Sequence, residues 1–451
     1  MQKTKETNVL YHHLGQAYTT LARGEGVYVF DDKGKRYLDA IGGVGVVNIG
    51  HGVKEIIETI TKQVSTLAYC YSGLVDNTPQ QELAAKLQEW APGGMGKTKT
   101  LFSSGGAEAN EGALKLAYQY HWERGNSSKY KIIGRWQSYH GNSIGALSMS
   151  GRTSWRRMHS PYLLDFCHIP PPYCYRCPWD KSYPGCGMDC AHELKKVIEQ
   201  EGPENIAAFI AEPVIGTSMS ALVPPPEYYP IIRAICDEND VLFIVDEVMS
   251  GVGRTGEKWG IDHWKVCPDL ITASKGISGG YSPLGALILS EKVWRHIAEG
   301  SRTVMHSCTY GGNPLSCATG LAVLNYIEKN DLIPKAGMMG ELLIEKLRAA
   351  LEDVSLVGQV RGRGLFVGVE IVANKETKEP FPQDWKITQR IEEEAFKRGL
   401  LILGGVSGLI GGVAGDHFEL LPPYVLEEEH VDIIAETVRE AIVAVILQLS
   451  G

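Results

Sequence analysis

Two apolar runs in this chain end on residues able to do chemistry. The first, Val241 to Val245, stops on Asp246 and Glu247, and the second, Leu270 to Ala273, delivers Ser274, Lys275 and Gly276. Continuous runs rich in Val and Ile read as strands buried on both faces of a parallel sheet. Open α/β sheets bind ligands at the carboxyl ends of such strands. Small residues beside Lys275 leave room around its amine, and an apolar setting there would depress its pKa. One strand end therefore offers a buried acid and another a nucleophilic amine.

That pair fits pyridoxal phosphate, with Lys275 as the Schiff-base lysine and Asp246 on the pyridinium nitrogen. The plainer alternative makes Asp246 a turn cap and Lys275 a solvated surface residue. The stretch LFSSGGAEANEGALK bears on the choice. Leu101 and Phe102 end a strand, Ser103, Ser104, Gly105, Gly106 and Ala107 form a turn, and a helix runs from Glu108 with Ala113, Leu114, Leu116, Ala117 and Tyr120 at helical spacing. A Ser/Gly turn opening a helix presents free N–H groups to a phosphate, although an ordinary capped helix reads the same way. Lys131 to Gly134 forms a further strand, and Tyr139 and His140 follow it, placed either to cover a planar cofactor or to fill the core. IAAFIAEPV is another apolar strand, ending on Glu212.

The elements that would position these residues follow in order. VYVF and RYLDA flank a DDKGK turn as a hairpin, and Gly42, Gly43 and Gly45 bring the backbone close to a neighbour or ligand. Helices are expected at Val53 to Leu67, Gln80 to Trp90, His192 to Glu199, Arg233 to Asn239 and onward from Pro314. This βα alternation gives an α/β protein with a parallel sheet covered by helices on both faces. From about Leu332 the pattern changes to a smaller α+β unit, with a helix, VRGRGLFVGVEIV, a helix Lys386 to Arg398, LLILGG and a last helix. The expected division is 1–60 as N-terminal arm and part of the small domain, 61–330 as large cofactor-binding domain, and 331–451 as C-terminal small domain. Gly251, Gly253 and Gly256 spell G-x-G-x-x-G, but no apolar-periodic helix opens from them, which argues against a dinucleotide site.

The chain's 451 residues support more than one domain, and its net charge of -9 argues against nucleic acid or anionic membrane as partner. Met1 to Gln16 has no apolar signal-peptide core and no apolar span is long enough to cross a bilayer, so a cytoplasmic enzyme is expected. Of ten cysteines, Cys174, Cys177, Cys186 and Cys190 crowd into a Pro-rich insertion at about 170–190. Their C-x2-C-x8-C-x3-C spacing could hold zinc, or the insertion is a surface segment whose thiols stay reduced. No metal ligand is assigned.

In order and spacing, SSGGAEANEGALK, YHG, AEPV, DEVMSGVGRTG, ASKG, TYGGNP and LLPPYVLEEE resemble the class III (ω-) aminotransferases of the fold-type I pyridoxal phosphate enzymes. The resemblance covers nearly the whole chain and implies a large domain with a mostly parallel seven-stranded sheet between helices, plus a smaller α+β domain. It implies transfer of an amino group from an amine, diamine or ω-amino acid to a keto acid such as pyruvate or 2-oxoglutarate; the alternative in the same family is an amino-acid racemase or epimerase. It implies that Lys275 carries the cofactor and moves the proton, that Asp246 faces the ring nitrogen, and that Val248 and Tyr139 pack on opposite ring faces. Ser104, Gly105, Gly106 and Ala107 form the phosphate turn, with His140, Glu212 and Met249 beside the cofactor. Thr309 reaches the neighbouring subunit's phosphate, which implies a homodimer with shared sites, or a tetramer.

Departures from the family pattern bear on substrate. Glu419 stands where ω-amino-acid enzymes place an arginine, Gly412 lies near the place of a mobile arginine in others, and Asn142, Thr217 and Met249 replace further family residues. No Arg or Lys occurs between Arg398 and Arg439. A lost arginine removes a bidentate grip on carboxylate, and an acid in its place should attract a cationic amine. Gly45, where amine transaminases often have Trp, should enlarge the pocket. Arg152, Arg156 and Arg157 are left as candidates for the acceptor's carboxylate.

Overall fold

Strand β7 (Ile206–Ala211) explains the continuous apolar runs, because all six of its residues are buried. Its Phe209 and Ala211 enter one core cluster, with Phe243 and Val245 of the next strand, while Ala208 and Ile210 enter a second with Leu242 and Ile244. Two packed faces leave no position for a polar side chain along the strand. Truncating Ile244 to Ala would cost about 2–5 kcal/mol.

A computed structural model describes residues 7–14 and 16–450. The expected polar stretch Met1 to Gln16 therefore lies partly outside the described residues. An antiparallel meander opens the chain, with β1 (Leu21–Glu25), β2 (Tyr28–Asp31) and β3 (Arg36–Asp39). The central sheet then takes β4 (Lys99–Ser103), β5 (Lys131–Arg135), β6 (Cys167–Ile169), β7, β8 (Leu242–Asp246), β9 (Leu270–Ala273) and β10 (Gly285–Leu289). Its seven strands lie in the order β4-β10-β9-β8-β7-β5-β6. Only β10 runs antiparallel to its neighbours in this sheet, which makes the sheet mostly parallel, as the βα alternation implies.

Past the helix Pro314–Lys329, the helix Leu332–Ala350 leads to β11 (Val357–Arg363), β12 (Phe366–Ile371), β13 (Leu400–Leu401), β14 (Leu403–Gly404) and β15 (Asp416–Leu420). Four of these form a second sheet in the order β11-β12-β15-β14, while β13 pairs in parallel with β3 through Leu400 and Leu38. The final helix, Glu428–Ser450, packs on the helices Leu332–Ala350 and Ile387–Lys397.

Gly251, Gly253 and Gly256 lie in a run of turns, with no helix opening from them. Their neighbour Arg254 is fully buried and donates to the carbonyls of Leu365 and Pro422, tying this turn to the second sheet.

The cysteine-rich insertion is anchored by its other residues. Glu370 on β12 accepts from the Tyr173 hydroxyl, from Arg176 Nε at 2.9 Å and from Arg361 Nη1 at 2.7 Å. All four insertion thiols are free and border one small pocket. Among the described residues, no group of three or more His, Cys, Asp or Glu is arranged to hold a metal ion. Among them, too, no helix is long and apolar enough to cross a membrane.

Candidate active site

Asp246 is the last residue of β8, and Lys275 lies two residues past the end of β9. Glu212 follows β7, Tyr139 and His140 follow β5, and the helix Gly106–Glu123 starts beyond β4. The carboxyl ends of these parallel strands thus converge on one cavity of about 200 Å³. Gly106, Ala107, Tyr139, His140, Glu212, Asp246, Val248, Met249 and Lys275 all line it.

Asp246 is buried and its carboxylate is held from three sides. Oδ2 accepts from His140 Nδ1 at 2.7 Å and from Asn110 Nδ2 at 2.9 Å, and Oδ1 accepts from the Val248 N–H at 3.0 Å. An ionised carboxylate only accepts, so the His140 proton sits on Nδ1. Its Nε2 is buried without a partner. The adjacent Glu247 turns the other way, accepting from Ser250 Oγ at 2.6 Å and from the N–H groups of Gly260 and Ile261. Burial pushes its carboxyl up to about 8, against the three donors, which favour its charged form.

Lys275 adopts φ +49°, a left-handed conformation that costs a non-glycine residue about 1–3 kcal/mol and is concentrated at functional sites. Asn48 Nδ2 donates to the neighbouring Gly276 carbonyl at 2.9 Å and braces the turn. The lysine's amine makes no hydrogen bond or ion pair with another described residue. Burial brings its amine down to about 8, against the opposing pull that Glu419 exerts when ionised and that of Asp246. About a tenth of it is therefore uncharged at pH 7, far more than for an ordinary lysine.

Gly105 precedes the helix Gly106–Glu123 with no side-chain cap, and the first helical bond is Ala109 N–H to Gly105 O at 3.1 Å. The Ser104 N–H is taken by Glu108 Oε2 at 2.7 Å, while the N–H groups of Gly106 and Ala107 at this half-buried helix start are left for an anion. A Cβ at Gly106 would come within 2.9 Å of Val248 Cγ2, so glycine is required where helix and Val248 approach. Across the cavity, Glu212 Oε1 accepts from the Tyr139 N–H at 3.1 Å while Oε2 receives Arg135 Nη2 at 3.3 Å. Glu212 thereby fixes Tyr139, whose ring meets Trp155 edge-on at 5.6 Å.

Free N–H groups, a buried acid, an unengaged amine and walls at Val248 and Tyr139 match what pyridoxal phosphate requires. Its phosphate, ring nitrogen, carbonyl carbon and ring faces each find a counterpart.

Several expected residues stand elsewhere. Ser104 and Gly105 shape the turn without lining the cavity, and Thr309 is exposed, its carbonyl accepting from Tyr69 at 2.9 Å. Gly45 is buried behind Met249 rather than in the cavity wall: a Cβ there would lie 3.2 Å from Leu421 Cδ2 and 3.9 Å from Met249 Cε. Glu419 is fully buried on β15, with Oε1 accepting from the Ala221 N–H at 3.1 Å and Oε2 unpartnered. Burial pushes it up to about 8. The expectation that its charge attracts a cationic amine is therefore corrected: near neutral pH it is mostly protonated and sits outside the cavity lining.

Asn110 is the residue that sequence reading passed over. Besides Asp246, it donates to the His140 carbonyl at 2.7 Å and accepts from Thr272 Oγ1 at 2.8 Å. Its signal was a polar residue on the apolar helical face of Ala109, Ala113 and Ala117.

The class-III aminotransferase family model matches residues 11–442. The uncharacterized aminotransferase YodT of Bacillus subtilis is 37% identical over 429 residues, spanning 94% of this chain and 96% of that protein. The putrescine–pyruvate aminotransferase of Pseudomonas aeruginosa is 32% identical over 423 residues, spanning 94% and 90%. The solved structure of a thermostable (S)-enantioselective omega-transaminase from Thermomicrobium roseum superposes with a TM-score of 0.90 at 36% identity, spanning 99% of this chain and 96% of that one.

Proposed function

The chain belongs to the class-III aminotransferases, which depend on pyridoxal phosphate, and from that premise we propose that its donor is an uncarboxylated amine or diamine and its acceptor a 2-oxo acid. The observation that carries the donor reading is the glycine-rich segment 404–415, which has no cation and leads into the buried, largely neutral Glu419. Nothing there grips a donor carboxylate. The relative that acts on putrescine and pyruvate supports the same substrate class.

Bound pyridoxal phosphate supplies a carbonyl carbon that accepts nitrogen and a ring that withdraws electrons. The protein's own groups do the rest. Lys275, brought down to about 8, presents an amine able to attack carbon and afterwards to carry a proton. Asp246, held by His140, Asn110 and the Val248 N–H, keeps negative charge toward a protonated ring nitrogen. Gly106 and Ala107 would hold the phosphate through N–H groups, Val248 and Tyr139 would clamp the ring, and Glu212 keeps Tyr139 in place. Ser104, Gly105, His140 and Met249 shape the turn and the walls around the cofactor.

We assign the working form to a homodimer. Leu67, Tyr69, Tyr71, Leu74 and Val75 are exposed together with Val304, Met305 and Tyr310 around Thr309, and contiguous apolar surface of this kind is covered in stable assemblies. Thr309 in that patch would then serve the partner's phosphate. Free thiols at all ten cysteines support a cytoplasmic location. The division near residues 60 and 330 is kept, supported by the pairing of Leu400 with Leu38.

The test is a donor panel at fixed pyruvate. 1-Phenylethylamine and putrescine should turn over faster than β-alanine and 4-aminobutyrate; the reverse order would remove the donor reading.

A further inference from the structure

Three arginines follow the YHG segment, and the structure separates them. Arg156 Nη1 donates to the carbonyls of Leu147, Ser148 and Ser150 at 3.1, 2.8 and 2.9 Å, capping the short helix Ile144–Met149. Its guanidinium is used in holding that helix end. Arg157 is exposed.

Arg152 differs from both. Its guanidinium carbon lies 4.2 Å from the Trp155 ring centroid and 5.6 Å from that of Tyr139, the ring at the cavity wall. Among the described residues it finds no hydrogen-bond or ion-pair acceptor, and its Nε is buried without a partner. A planar cation fixed by aromatic stacking, with its donors unspent, is arranged for a planar anion.

A second orphan shares its surroundings. Ser218 is buried and its Oγ has no partner, yet Ser218 and Arg152 line the same small cavity. Thr217, one residue before Ser218, lines the main cavity. The opposite wall is the loop of Val406, Ser407, Gly408 and Gly412. A Cβ at Gly412 would fall 2.1 Å from Thr153 Oγ1, so the loop approaches as bare backbone at that position, and none of its four residues brings a competing carboxylate. Glu419, the acid electrostatically coupled to Arg152, is held mostly neutral by burial.

We propose that Arg152 and Ser218 form the subsite for the carboxylate of the 2-oxo acid acceptor. One carboxylate supplies acceptors for both orphaned donors, and Tyr139 links the subsite to the reacting end of the cavity. The uncarboxylated donor makes no demand on it. The inference rests on the aminotransferase reading above.

The experiment compares pyruvate with an uncharged aldehyde acceptor, butanal, in cofactor-loaded wild-type, Arg152→Gln, Arg152→Lys and Ser218→Ala enzymes. The readout is the ratio of kcat/KM for pyruvate to kcat/KM for butanal. Loss of a charge-assisted bond lowers that ratio about tenfold to a hundredfold in Arg152→Gln, and loss of a neutral one lowers it about fivefold in Ser218→Ala. Arg152→Lys keeps charge without the fork and recovers part of the ratio. An unchanged ratio in Arg152→Gln enzyme that shows the wild-type visible cofactor band overturns the subsite alone. Wild-type protein without such a band overturns the function and the subsite together.

Discussion

Asn110 donates to Asp246 at 2.9 Å across a sequence separation of 136 residues, and the same side chain accepts from Thr272 Oγ1 at 2.8 Å. It thereby ties the phosphate-end helix to the carboxylate of β8 and to β9, which leads to Lys275. Replacing Asn110 with Ala strands the buried Thr272 hydroxyl and removes one support of Asp246. The expected loss is about 1–3 kcal/mol in stability, measured by denaturant unfolding of the apoprotein, with kcat falling as well. Unchanged stability and rate would show that the bridge is dispensable.

Asp246→Asn keeps the shape of the side chain and removes its charge. Transamination should fall by at least about a hundredfold, of the order expected for a group acting on charge in the reaction. Because Lys275 is untouched, the variant should still acquire a visible cofactor band. A near-normal rate in Asp246→Asn would contradict the assignment of the ring-nitrogen partner.

Lys275 attacks only as the free amine. With its amine brought down to about 8, the rate at which apoprotein acquires its visible band should climb about tenfold per pH unit below 8 and then level off. An unperturbed lysine would keep gaining until about pH 10.4. Stopped-flow absorbance across pH 6 to 10 separates these profiles.

Glu419 and Glu247 are both raised to about 8 by burial. For each, the folded chain binds the proton more tightly than the unfolded chain, so stability is fully present below the unfolded value near 4.3 and is lost as pH rises toward 8. Glu419→Gln removes one of the two contributions. Its melting temperature should therefore gain on the wild type steadily from pH 5 to pH 8, followed by calorimetry of the apoprotein. A constant offset would mean that Glu419 is ionised throughout.

What the sequence made legible follows from how locally each signal is written. Asp246 and Lys275 end uninterrupted apolar runs, and a strand buried on both faces announces its own terminus. The Gly105–Gly106 turn announces the helix start in the same way. The antiparallel course of β10 carries no such mark, since its residues are as apolar as those of the parallel strands. Asn110 was hidden because its partners are distant in sequence, and an isolated polar residue in a helix looks like surface. Glu419 was misjudged for a related reason: its charge state depends on burial between strands that the local pattern HFELLPP does not reveal. Arg152 and Arg156, four residues apart, could be told apart only by the carbonyls that fold back to meet one of them.

The most direct test of the account follows the visible band of cofactor-loaded protein as 1-phenylethylamine is added without acceptor. The account predicts a band that requires Lys275, bleaches with the amine and returns when pyruvate is added, while Lys275→Ala shows none of these changes. A wild-type band that stays unchanged on adding the amine, or protein that forms no band at all, would contradict amino transfer through Lys275.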